Sequence, residues 1–61
     1  METYVLTERL TKDQIVIKAL SWKIEDYQHN FYCDNGFGQV ITRSYPTRFY
    51  NLTDRYNDDK D

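Results

Sequence analysis

At 61 residues the chain is one domain, and a domain of this size buries only about 60% of the surface its unfolded chain exposes, so its stability is thin. Eight Lys and Arg against ten Asp and Glu leave a net charge of −2, which argues against a general nucleic-acid binder and is too small for a strong DNA mimic. One cysteine, Cys33, and one histidine, His29, exclude an internal disulfide and a structural zinc site, so the expected supplement is another protein or a second copy of the chain.

Thr3 to Leu10 reads TYVLTERL. Tyr4, Leu6 and Glu8 fall on one side of an extended chain and Val5, Thr7 and Arg9 on the other. With β-branched and aromatic residues among them, a strand is predicted.

Leu10 to His29 reads LTKDQIVIKALSWKIEDYQH. Thr11 and Gln14 have the spacing of a capping box, and Leu10 and Ile15 that of a hydrophobic staple. Asp13 adds a negative charge where a helix dipole favours one. Ile17, Leu20, Ile24 and Tyr27 recur at helical spacing, with Val16 widening the stripe. These signs predict a helix over 12–28, about 25 Å long. His29 and Asn30 would end it, with His29 against the last carbonyls. Trp22 lies off the stripe, at the core margin or as an anchor for a partner. A strand competes, because Ile15, Ile17 and Ala19 alternate with Val16, Lys18 and Leu20. Cap, staple and length decide for the helix.

Phe31 to Tyr45 reads FYCDNGFGQVITRSY. Asn35-Gly36 signals a type I′ hairpin, whose two central residues need positive φ. In that register Phe31 faces Val40 and Cys33 faces Gly38, with Phe31, Val40 and Cys33 turned to the core. Tyr45-Pro46 ends the strand. Phe49, Tyr50 and Leu52 then form a short edge strand or an extended arm. Residues 57–61 (NDDKD) carry no apolar side chain and are expected to be a disordered acidic tail.

The expected architecture is therefore α+β. One long helix packs on a small antiparallel sheet in the order β-α-β-β, in a single domain over residues 1–56.

No pair of carboxylates, triad or phosphate loop stands out, so no enzyme and no cofactor are expected. Aromatic and basic residues interleave between Thr42 and Tyr56, where Arg43, Arg48 and Arg55 stand among Tyr45, Phe49 and Tyr50. Such a mixture serves protein interfaces and also single-stranded nucleic acids. Net acidity favours a protein partner, with Trp22, Arg43, Tyr45, Arg48, Phe49, Tyr50 and Arg55 as the candidate contacts. The N-terminus lacks a leader-like apolar run, and no stretch approaches the roughly 18 apolar residues that span a bilayer. Size and style suggest a cytoplasmic regulator or inhibitor, phage-encoded or accessory, that acts by binding another protein. The alternative is a small nucleic-acid-binding regulator using residues 42–56.

Overall fold

The structure, a computed structural model, describes residues 1–57. Six strands follow one another: β1 (Glu2–Glu8), β2 (Gln14–Ala19), β3 (Ser21–Glu25), β4 (Gln28–Asp34), β5 (Val40–Pro46) and β6 (Tyr50–Asn57). They form two three-stranded antiparallel sheets, ordered β2-β1-β6 and β3-β4-β5. The fold is all-β, with no helix among the described residues, which corrects the α+β expectation. Asn57, expected in the acidic tail, closes β6 opposite Glu2, and the rest of that tail lies outside the described residues.

The segment expected to be helical is β2 and β3, one long strand that passes from the first sheet to the second at Leu20. Its inward face changes parity there. Ile17 and Ala19 are buried on β2, whereas Trp22 packs on the core from β3. The change comes from a bulge: the Leu20 N–H donates to the Tyr32 carbonyl at 2.8 Å, and Ser21 already faces Tyr32. A strand whose alternation slips by one residue puts apolar side chains three and four apart, which imitates a helical stripe. Of that stripe only Ile17 is buried; Leu20, Ile24 and Tyr27 are exposed. The presumed cap has another task. Thr11 belongs to the β1–β2 turn, where its hydroxyl bonds the Glu8 carboxylate and accepts the Asp13 N–H. His29 stands at no helix end; it is buried in the middle of the second sheet.

The β4–β5 hairpin also departs from the expected register. Cys33 faces Ile41 and Phe31 faces Arg43. Residues 35–39 form the loop, closed by the Asn35 N–H donating to the Gln39 carbonyl. Its length follows from side chains that accept loop donors: Asp34 takes the Gly36 N–H, and Asn35 takes those of Phe37 and Gln39. Positive φ falls on Gly36 and Gly38 rather than on Asn35. Val40, expected in the core, is exposed, while Phe31 and Cys33 are buried as anticipated.

The core lies between the sheets and consists of Tyr4, Leu6, Ile17, Ala19, Phe31 and Cys33, with Trp22, Tyr45, Tyr50 and Leu52 packed against it. Tyr4 and Phe31 meet edge to face at 5.2 Å. One polar spine crosses this core. Trp22 Nε1 donates to His29 Nδ1 at 3.2 Å, so His29 donates from Nε2 to the Tyr50 carbonyl at 3.0 Å. That chain ties β3 and β4 of one sheet to β6 of the other.

Candidate functional site

Three turns meet at one end of the molecule. The β3–β4 turn is Asp26-Tyr27, with φ of 52° and 60°, the type I′ geometry that a two-residue hairpin needs. Tyrosine seldom adopts it, and such backbone strain concentrates at functional sites. The β5–β6 turn, residues 47–49, is clamped on both sides. Thr47 donates its N–H and its hydroxyl to the Tyr27 carbonyl, at 2.9 and 3.1 Å. From the β1–β2 side, the Arg9 guanidinium bonds the Thr47 carbonyl at 3.0 Å, and the Arg9 N–H bonds the Phe49 carbonyl at 2.9 Å.

This clamped end displays apolar groups to solvent. Leu10 is 87% exposed, Tyr27 86% and Phe49 45%. The Arg48 guanidinium lies 5.0 Å from the centre of the Phe49 ring. Residues 26–28 on one side and 46–49 on the other enclose a cleft of about 450 Å³. Its walls carry a phenol, a phenyl ring, a proline ring, one guanidinium and one carboxylate. Such a lining offers apolar area and two opposite charges side by side.

A second cluster gathers Glu2, Tyr4, Trp22 and Arg55. Glu2 Oε1 accepts from the Tyr4 hydroxyl at 2.7 Å and from Arg55 Nε at 2.9 Å. The Arg55 guanidinium sits 5.5 Å from the Tyr4 ring centre and 5.9 Å from that of Trp22. The Tyr4 bond and the Arg55 charge hold the Glu2 carboxyl below its usual range. Burial, with the bond to Glu2 added, pushes the Tyr4 phenol up to about 12. Burial also raises the Cys33 thiol, partly opposed by Arg43, so the thiol is not primed as a nucleophile.

The candidate contact residues thus separate. Arg48 and Phe49 lie at the exposed cleft. Tyr45 and Tyr50 pack on the core and meet edge to face at 5.6 Å. Trp22 is half-buried beside Arg55, which is engaged by Glu2. Arg43 is exposed on β5, across from Phe31. Residues 42–56 therefore do not form one surface. Leu10 and Tyr27, the most exposed apolar groups of the cleft end, were missed because a helix reading turned Tyr27 to the core and Leu10 to a staple. The only local sign of their turn is Asp26, a residue that tolerates the left-handed region.

Both His29 ring nitrogens are taken by Trp22 and Tyr50, which leaves none for a metal. No group of three His, Cys, Asp or Glu side chains suited to a metal ion occurs among the described residues. No known family, curated protein or solved structure matches this chain.

Proposed function

We propose that this chain is a small regulator or inhibitor that works by binding another protein, and that the contact is the end where the three turns meet. One observation carries the reading: Leu10, Tyr27 and Phe49 are held out to solvent by turns that are themselves clamped by backbone hydrogen bonds. Rigid presentation lowers the entropy cost of binding, and exposed aromatics beside an arginine make effective anchors. Arg48 enters no salt bridge among the described residues, so its fork can take a carboxylate on the partner. The free, buried Cys33 agrees with a reducing, cytoplasmic setting.

The test is affinity capture with the purified chain as bait, before and after nuclease treatment, beside a Tyr27→Ser/Phe49→Ser variant. A protein captured despite nuclease, and held about thirtyfold less tightly by the variant, is the expected result. Capture that nuclease abolishes would favour the nucleic-acid alternative. Capture of equal strength by the variant would place the contact elsewhere.

A further inference from the structure

The β5 strand is an outer strand of its sheet, and the directions of its backbone groups can be worked out from the register. Pro46 has no N–H, so the Gln28–Pro46 pair is one that exchanges no ladder bonds. Facing pairs alternate in an antiparallel ladder, so His29–Tyr45, Phe31–Arg43 and Cys33–Ile41 are the bonded pairs. The bond from the Asn35 N–H to the Gln39 carbonyl falls on the same alternation. The N–H and C=O groups of Val40, Thr42 and Ser44 therefore point away from β4, along an edge that no strand covers among the described residues.

Two of the other outer strands, β3 and β6, are guarded in ways that β5 is not. A charged pair, Lys23 and Glu25, stands on β3. The β6 strand has a bulge where it passes Val5 and Leu6, and it holds the Arg55–Glu2 pair. The β2 strand is one residue shorter than β5 and carries a single charge, Lys18, next to its last residue. The β5 strand reads VITRSYP, with one charge and with its proline at the last position. Its face towards the core is open as well. Ile41 and Arg43 share the face of Cys33 and Phe31, yet Ile41 is 46% exposed, and on the other face Val40 is 60% exposed. An edge with free donors, β-prone residues and uncovered apolar groups is a template for another strand.

We propose that the strand it takes is β5 of a second copy, antiparallel, with Thr42 on the two-fold axis. The inference is independent of the turn-end reading. What selects the second copy is that one register makes this edge complementary to itself. With Thr42 facing Thr42, Val40 faces Ser44, and these pairs exchange the outward N–H and C=O groups in full. Ile41 then lies opposite Arg43 of the other copy, so no like charges face each other, and the two threonines form a favourable cross-strand pair. Sliding by one residue to lengthen the overlap would set Arg43 against Arg43 and place Pro46, which has no donor, opposite Val40. Sliding the other way shortens the paired stretch. The chosen register sets the two Ile41 side chains on one diagonal beside Cys33, and the two Arg43 side chains, long enough to splay into solvent, on the other. Two three-stranded sheets become one of six, and a domain with a thin core gains buried area. An isologous, closed contact follows, which uses up the β5 edge of both copies. The two turn-end clefts would lie at opposite ends of the pair.

The test is sedimentation equilibrium of the full chain over a concentration series, with circular dichroism to check folding. The chain itself should self-associate to a dimer. Thr42→Pro removes an outward N–H from each copy and leaves the β4 ladder intact, and Thr42→Lys sets two ammonium groups face to face at an exposed position. Each should weaken the dimer about tenfold or more while the spectrum is kept. Should Thr42→Pro fail to fold, Thr42→Lys carries the test alone. Oxidation of Thr42→Cys should link two chains, because facing α-carbons in a bonded pair stand at disulfide distance, whereas Val40→Cys should link poorly. A chain that stays monomeric throughout, or a dimer unaffected by Thr42→Lys, would overturn the proposal. Equal linking by Val40→Cys would overturn the register.

Discussion

Both β1 and β4 are the central strand of a three-stranded sheet, yet they are buried differently. In β1, Thr3, Tyr4, Val5 and Leu6 are buried in succession, on both faces. The outer face is flanked by Val16 and Lys18 of β2 and by Asp54 and Tyr56 of β6. In β4 only every second residue is buried: His29, Phe31 and Cys33. The first sheet therefore encloses its middle strand, while the second covers one face and leaves β5 exposed from Val40 to Ser44. Stability should be concentrated around β1, and the accessible edge and turns of β4 and β5 should tolerate change.

The sharpest way to break that contrast is to remove the same kind of apolar bulk from each sheet. Leu6 is fully buried and Ile41 is half-exposed. Leu6→Ala should cost about 2–5 kcal/mol. A domain of this size has about 3–9 kcal/mol to lose, so the variant should be close to unfolded. Ile41→Ala should cost about 1 kcal/mol or less, because much of its side chain stays in water. Urea denaturation of both variants measures the difference, and equal midpoint shifts would show that the two sheets contribute alike.

How much of this was legible depended on how local the deciding interaction was. The β1 strand was readable, because its run of β-branched and aromatic residues carries its own signal without clean alternation. The β2–β3 strand was not. Its bulge at Leu20 is set by a bond to Tyr32, a residue from the next strand, and the slipped alternation looked helical. Thr11 and Gln14 strengthened the error, since a side chain suited to a helix cap suits a turn equally well. Asn35-Gly36 marked a turn correctly, but the side chains of Asp34 and Asn35 lengthened it and shifted the register. Of the candidate contacts, Arg48 and Phe49 reached the exposed cleft because they lie in a turn after a proline. Tyr45 and Tyr50 went to the core, and Leu10 and Tyr27 came forward only once the turns were placed.

A second prediction sharpens the comparison by cutting the polar link between the sheets. His29→Leu keeps the volume but leaves the Trp22 indole N–H and the Tyr50 carbonyl without their partner. The expected loss is about 1–3 kcal/mol. It should be accompanied by a red shift in Trp22 fluorescence, as the indole finds water instead. A variant as stable as the parent, with unchanged emission, would show that packing alone joins the sheets.

The smallest effect concerns the rim of the first sheet, where Glu2, Tyr4 and Arg55 are coupled. The folded chain holds the Tyr4 phenol at about 12, against 10.0 for the free side chain. Its contribution to stability is complete below pH 10.0 and is lost as pH rises from there towards about 12, because the unfolded chain ionises first. Glu2 has the opposite sign. Its carboxyl is held below its ordinary value of 4.5, so its contribution is present above that value and disappears as acid protonates it in the folded chain. Glu2→Gln should remove the acid-side loss that this carboxyl causes. On the alkaline side it should lower the Tyr4 phenol without returning it to 10.0, because burial is the larger cause and remains. Tyrosinate absorbance followed through a pH titration, beside denaturation midpoints in acid and base, reads both sides. If Tyr4 in the variant titrates with the exposed tyrosines, the carboxylate rather than burial sets its behaviour, and the inner rim of the first sheet is wetter than its burial implies.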